Sequence, residues 1–410
     1  MLKACSVKAG FLHFGIFHDF GRNKNYRYEQ ASRCEVKIGK VDGQELYNTS
    51  MNVVVGISTS KGLAMQLKTR SFFVAASMML SGYAVAFGLQ LDTVKDYFDK
   101  TEAEMPRKVI PFLDGKYPVH QDLTSKTLNC GVSSSPCAAI QAVGINPSDV
   151  MKGVRWNDFP AFYMTKNAGN CENHILRATQ PKDVHCYVLM LGYAYLDSDR
   201  YVRDPNWAKS QPLGARGHFG DLQFWHSMAQ ANQSGGATYQ EIQMWMEFAF
   251  RASLGEFKLT DDITTLPVPG LKKHFWKGAR RVGDLLDYRY ESEREVTQGI
   301  ALGQMLHIAQ DSFAKCHAQR DDEGRMVRFY NYSGQSGSMH KHFDVDSKEI
   351  SIAVSRRLNP YDFGEKLLRI RGESTTWDQA GPKVRKLVEE YFRPMNPYLL
   401  SRYGEGCYRA

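Results

Sequence analysis

The residues best suited to chemistry lie in ALGQMLHIAQDSFAKCHAQR, residues 301–320. Leu302, Leu306, Ala309 and Phe313 recur at helical spacing as one apolar stripe, while Ile300, Gly303, Gln304, His307 and Asp311 recur on a second face. The spacing predicts a helix buried on both sides, where an ionised Asp is costly unless paired or bound to a cation. His307 and Asp311, one turn apart, can reach one metal ion or two adjacent ones. His317 follows just past the expected helix end. A second segment, SMHKHFDVD at 338–346, offers His340/Asp344 or His342/Asp346 at the same spacing. A single HxxxD arises readily as a plain hydrogen-bonded pair, so the weight rests on the two segments together. Imidazole and carboxylate donors in this pattern suit Zn²⁺.

The run resembles the superfamily of zinc-dependent bacterial phospholipases C and fungal single-strand-specific nucleases. Their metal site combines HxxxD, a His ten residues after the first, and a later Hxxx(D/E). Here His317 lies ten residues after His307 and His340 thirty-three after it, the second offset being similar to the nuclease branch. This matching makes His340 and Asp344 ligands and leaves His342 and Asp346 beside the site or in solvent. The resemblance implies an all-α fold, a single multi-helix domain with long irregular loops, holding three zinc ions. His307 and a further His/Asp pair would serve the first metal, Asp311 would bridge the first and third, and His317, His340 and Asp344 would hold the second.

Looser matches lie upstream. YPVHQDLT (117–124) resembles the segment that opens a helix and supplies a third-metal ligand, hence His120. GVRWNDFP (153–160) resembles the segment giving a first-metal carboxylate, hence Asp158, with His226 in GDLQFWHSM (220–228) as its partner. His174 and His218 compete for that place. Asp158 is the expected residue for orienting or deprotonating the attacking water, and Asp311 is the second catalytic carboxylate. Plainer roles are a turn cap before Pro160 for Asp158, a helix N-cap for Asp221 and a core position for His226. Arg155, Arg320 or Lys315 can contact a phosphate, although a solvated face is the commoner role for such residues.

The elements that must position these groups are helical. Ile242, Met246, Phe250 and Leu254 form a stripe within 239–256, and Val384, Leu387, Val388 and Tyr391 form another within 381–393. Turn-rich breaks at 232–236, 264–270 and 333–338 separate them. No internal repeat and no series of alternating short strands is present.

The whole chain carries a net charge of +8 over 410 residues, which at face value suggests a polyanionic partner. The excess is unevenly placed. Residues 70–87, RSFFVAASMMLSGYAVAF, combine a positive flank at Lys68 and Arg70, an apolar run and the triplet Ala84-Val85-Ala86, the parts of a secretory signal. With Met65 as a start, residues 65–86 are the expected signal peptide, residues 1–64 are upstream sequence outside the domain, and 87–410 form the zinc-dependent domain, its motifs within about 115–350. A buried helix or an uncleaved membrane anchor at 70–87 are the alternatives. Residues 1–86 hold 11 of the 52 Lys+Arg and 5 of the 44 Asp+Glu, so the remainder is nearly neutral. Six cysteines remain, allowing three disulfides in an exported protein; Cys130 with Cys137 is the simplest pair. Cleavage after Ala86 would expose Phe87, an aromatic terminus similar to the one whose amine binds the third metal in the family, but His120 lies much farther along than there, and a carboxylate is the alternative ligand.

The expected activity is phosphodiester hydrolysis through a metal-activated water, with phospholipid or a membrane surface as partner and nucleic acid as the alternative substrate. The aromatic-basic tract Lys272, Lys273, His274, Phe275, Trp276 and Lys277 suits either. A non-catalytic zinc-stabilised binding module is the reading from a different class. The shortage of cysteine ligands argues against it.

Overall fold

A computed structural model of the chain describes residues 119–128, 143–158, 197–276, 280–286, 294–335, 337–344 and 346–407, with several shorter pieces including 3–9 and 12–18. The chain divides into two units, Met1–Val74 and Ala75–Ala410. In the first, strands β1 (Lys3–Ala9) and β2 (Leu12–His18) pair antiparallel, Lys3 opposite His18. The expected signal segment, Phe87, His174 and the Cys130–Cys137 pair lie outside the described residues.

The second unit is built from helices. In chain order these are α1 (Val119–Thr127), α2 (Pro147–Trp156), α3 (Ser198–Arg203), α4 (Pro205–Lys209), α5 (Leu213–Phe219), a 3₁₀ turn at Gln223–His226, and α6 (Gly235–Ser253). Then come α7 (Val282–Leu286), α8 (Arg294–Asp311), α9 (Gly337–Asp344), α10 (Ser347–Ser355), α11 (Pro360–Glu373) and α12 (Trp377–Phe392). Two short antiparallel pairs, β3 (Phe162–Tyr163) with β4 (Ile175–Leu176) and β5 (Ala318–Arg320) with β6 (Met326–Phe329), interrupt them. Strands of two to four residues are too short to show alternation in a sequence. Among the described residues, no helix is long and apolar enough to cross a membrane.

Local chemistry starts these helices where they start. Asn146 caps α2, accepting from Ser148 N at 3.0 Å, and Pro147 occupies the first turn, where its missing N–H costs nothing. Ser234 caps α6 by accepting from Ala237 N, so the NQSGG break becomes a helix start. Asp346 caps α10 through Lys348 N, a structural task for a residue of the second HxxxD.

Helix α8 runs through the middle of the unit and packs against α2, α6, α11, α7, α1 and the 3₁₀ turn. Ile242, Met246 and Phe250 of α6 are buried in the core, as are Val384, Leu387, Val388 and Tyr391 of α12. Trp225 sits between Trp156 and Trp245, with ring centroids 5.1 and 5.0 Å away. Each such pair contributes about 0.5–1.5 kcal/mol beyond the area it buries.

Helices α2 and α8 meet backbone to backbone. A Cβ on Gly303 would lie 2.1 Å from Val150 O and 2.5 Å from Val154 N; one on Gly153 would lie 2.1 Å from Ile300 O. Glycine at both places lets the two backbones touch. That approach brings Val154 O and the residues after Trp156 up to the His307 face of α8.

Candidate metal centre

Eight buried side chains converge where these elements meet: His120, Asp158, His226, His307, Asp311, His317, His340 and Asp344, none more than 1% exposed. Helix α1 supplies His120 and α8 supplies His307 and Asp311 one turn apart. Asp158 follows the end of α2, where Asn157 donates to Trp225 O at 2.8 Å and fixes the departing chain. His226 closes the 3₁₀ turn. The next residue, Ser227, is left-handed (φ 51°) and its hydroxyl donates to Ile308 O at 2.6 Å, fastening the turn to α8. Helix α8 stops at Asp311 in tight turns, with Ala314 N donating to Asp311 O and His317 N to Ala314 O. These turns carry His317 back to the centre, and Phe313 is buried in them rather than in the helix itself. Helix α9 presents His340 and Asp344.

Three triads result: His120/Asp158/His307, His226/His307/Asp311 and His317/His340/Asp344, each with its ligand atoms within 4.8 Å of one another. Asp311 Oδ2 lies 2.9 Å from both His226 Nδ1 and His307 Nε2, while Oδ1 lies 3.2 Å from His120 Nε2. The carboxylate therefore spans two triads. Asp158 Oδ1 is 3.8 Å from His226 Nδ1 and from His307 Nε2, so it reaches the expected pair as well as its own triad. In the third, His340 Nε2 lies 2.9 Å from His317 Nε2 and 3.3 Å from Asp344 Oδ2.

Outer hydrogen bonds decide which imidazole nitrogen faces inward. His307 Nδ1 lies 2.7 Å from Val154 O and His317 Nδ1 2.7 Å from His226 O; a carbonyl only accepts, so both Nδ1 atoms donate. His340 Nδ1 meets Gln335 Oε1 at 2.6 Å, and the Gln335 amide is itself oriented because its Nε2 donates to Cys316 O and Glu405 O. His120 Nδ1 meets Gln310 Oε1 at 2.6 Å, with Gln310 Nε2 donating to Thr124 Oγ1. Such partners are the usual outer shell of ligating histidines. His226 differs, turning Nδ1 inward and Nε2 toward Gly217.

Burial pushes the His226 and His307 imidazoles down to about 4, against the opposing pull of Asp311. Burial also lowers His317 and, further, His340. Burial and the charges of Asp311 and Asp344 push the Asp158 carboxyl well above its ordinary range. Asp311 is the reverse: burial opposes its ionisation, but His307, His317 and His120 outweigh it and hold the carboxyl well below that range. Burial thus favours the neutral rings of His307, His317 and His340, and with Nδ1 donating outward their Nε2 atoms are the lone pairs that face inward.

An imidazole nitrogen has one lone pair, so His307 Nε2 serves one ion and the two triads sharing it cannot be independent. The donor set supports separate ions at His226/His307 and at His317/His340/Asp344, with a further one near His120 only if a carboxylate bridges. Tyr332 forms a wall of the centre, its ring stacked on His340 at 4.8 Å and edge-on to His226 and His317. Its position between β6 and the turn-rich break at 333–338 carries no sequence signal for that role. His218 falls beside the centre and outside the triads, with Nδ1 on Gly214 O at 2.8 Å and its ring 4.8 Å from that of His226.

Other expectations resolve differently. Asp221 does not cap a helix; it pairs with buried Arg216 through two 2.9 Å bonds and with His274 Nδ1 at 2.9 Å. Arg320 is buried and donates to Ser312 O, Ser312 Oγ and Gly324 O, so its guanidinium is committed to the fold. Lys315 pairs with Glu349 at 3.1 Å and covers the Phe343 ring. His342 lies in α9. No protein-family description, curated protein or solved structure matches the chain.

Proposed function

We propose that the chain is a zinc-dependent phosphodiester hydrolase acting on phospholipids as a phospholipase C. One observation carries this: two neutral Nε2 lone pairs, on His317 and His340, meet at 2.9 Å beside the Asp344 carboxylate. Lone pairs repel at that distance, and neither nitrogen bears a hydrogen to relieve it. A cation between them turns the repulsion into coordination. His307 Nε2 against Asp311 Oδ2 at 2.9 Å repeats the arrangement. Five imidazoles, three carboxylates and no thiolate make a borderline N/O set that fits Zn²⁺.

Zinc held by these residues would lower the pKa of a bound water and neutralise charge on the phosphodiester oxygens. The protein's own groups do the rest. Asp158, its carboxyl raised by burial and by its acidic neighbours, orients the attacking water and accepts a proton from it. Asp311 is held ionised and links the His120 side of the centre to the His226 side. The Tyr332 ring keeps bulk water from the histidine faces. Water oxygen joins phosphorus, the bond from phosphorus to the glycerol oxygen breaks, and the proton taken up by Asp158 passes to that oxygen, so that the products are diacylglycerol and a phosphorylated headgroup.

Lipid is preferred to nucleic acid because the aromatic-basic tract is not an open stacking track. His274 and Phe275 are buried, while Lys272, half-exposed Trp276 and Lys273, paired with Glu241 at 2.8 Å, lie at the surface; Lys277 lies outside the described residues. A lone Trp beside a Lys suits a membrane interface. The bridge between Cys316 and Cys407 suits an exported protein. Zinc-loaded protein assayed in parallel on phosphatidylcholine vesicles and single-stranded DNA tests the proposal. The expected result is phosphocholine release that His307→Ala abolishes. Unchanged hydrolysis by that variant, or DNA cleavage without lipid cleavage, would overturn it.

A further inference from the structure

The chain's last described segment, residues 401–407, is laced to the stretch that leads into α9. Asn331 Nδ2 donates to Arg402 O at 2.9 Å, Gly404 N donates to Ser333 O at 2.8 Å, and Arg328 pairs with Glu405. Cys407 is bonded to Cys316, the residue before His317, across 91 positions of sequence. Between the two halves of this bridge sits Gln335, only 7% exposed. Its amide donates to Cys316 O and to Glu405 O, both at 2.7 Å, and its Oε1 accepts from His340 Nδ1 at 2.6 Å. One side chain thus joins both sides of the disulfide to one histidine of the third triad and the backbone beside another.

We propose that the 401–407 strap and Gln335 form a positioning device for the His317/His340/Asp344 triad: the strap fixes the amide, and the amide fixes the His340 ring and its tautomer. This rests on the metal-centre reading above. Oxygen must face His340 because the amide's two hydrogens are both spent on carbonyls. His340 then has to donate through Nδ1 and present Nε2 inward. Methionine at 335 fills similar volume but neither donates to the carbonyls nor accepts well from the imidazole. Losing the outer partner of a ligating histidine typically lowers metal affinity by about 10–100-fold. The triad at His226/His307/Asp311 has its own outer bond, from His307 to Val154 O, and does not depend on the strap.

The test is zinc competition against a chromogenic chelator, on the full chain, for wild type, Gln335→Met and Cys407→Ser. Wild type is expected to bind at least two equivalents. Gln335→Met should weaken one of them by about 10–100-fold and leave the other unchanged. Cys407→Ser should weaken the same equivalent, since it frees the strap. Imidazole ¹⁵N shifts of the wild type should show His340 as the Nδ1–H form, and Gln335→Met should lose that signature; this reports tautomer rather than stability. If a variant does not fold, the wild-type ¹⁵N spectrum decides, because a His340 protonated on Nε2 refutes the device. Unchanged affinity for every equivalent in folded Gln335→Met also overturns it. No zinc bound by the wild type would instead overturn the metal centre itself.

Discussion

Adding one methyl group to α8 at Gly303 should disable the centre from a distance. The Cβ of Gly303→Ala would start 2.1 Å from Val150 O, 2.5 Å from Val154 N and 2.7 Å from Gly153 C, all backbone atoms with no rotamer to yield. Ordinary contact begins near 3.5 Å, so α2 and α8 must separate by about 1.4 Å. The 2.7 Å bond from His307 Nδ1 to Val154 O then opens to roughly 4 Å, which is no longer a hydrogen bond. Asp158, carried on the chain leaving α2, moves by a similar distance from His226 and His307. Misplacement of about 1 Å in a reacting constellation costs on the order of 10²-fold in rate. Overpacking costs about 1–3 kcal/mol, offset by up to about 1 kcal/mol of helix propensity gained over glycine. Gly303→Ala should therefore show about 10²-fold lower phosphocholine release with a melting temperature a few degrees lower. Gly372→Ala in α11, whose Cβ meets nothing within 4 Å, is the matched control and should leave hydrolysis unchanged while keeping or slightly raising the melting temperature. Wild-type hydrolysis and melting temperature in Gly303→Ala would refute the close-packing explanation.

The acid limb of stability should report the buried histidines. His226 and His307 sit at about 4 in the folded, metal-free protein against 6.5 ordinarily. Above about pH 6.5 both states are neutral there and nothing is lost. As pH falls from 6.5 towards 4 only the unfolded chain takes up protons, so stability declines across that window by at most about 3 kcal/mol per histidine. Urea unfolding of chelator-treated protein at several pH values checks this; a profile flat from 6.5 to 4 would contradict it. Asp221→Ala leaves the Arg216 guanidinium, 1% exposed, without its carboxylate and should cost about 3–5 kcal/mol with zinc stoichiometry unchanged. A loss below about 1 kcal/mol in denaturant unfolding would show that the pair is dispensable. Cys407→Ser opens a loop of 91 residues, worth about 4–5 kcal/mol in the chain-entropy account, and should lower the melting temperature correspondingly. A melting temperature equal to wild type would show that the bridge contributes nothing to stability.

The part of the centre carried on contiguous chain was legible in the sequence, because helix geometry fixes what one turn places together. His307 with Asp311 is such a pair, and His317 falls in the turns that end α8; spacing alone left His340/Asp344 and His342/Asp346 equal, and the family resemblance chose the first. His120, Asp158 and His226 come from three separate elements, and only a family resemblance drew them to the same place. Gln310 and Gln335 gave no signal, since an amide that orients a histidine looks like any other Gln until its partners are known. Gly153 and Gly303 read as ordinary helix positions; their need for no side chain arises from a second helix 150 residues away. The Cys316–Cys407 bridge illustrates the same limit, because spacing favours near neighbours and says nothing about which distant thiols the fold unites. Asp221 was expected at a helix start and instead neutralises Arg216, a partner five residues away that folding buries beside it.

Anomalous diffraction at the zinc edge, from crystals of the zinc-loaded full chain, tests the metal centre most directly. A peak about 2.0–2.1 Å from His317 Nε2 and His340 Nε2 and about 2.0–2.2 Å from an Asp344 oxygen is expected, with a second between His226 Nδ1 and His307 Nε2. Crystals grown in saturating zinc that show no peak at either position would contradict the assignment of these histidines as ligands.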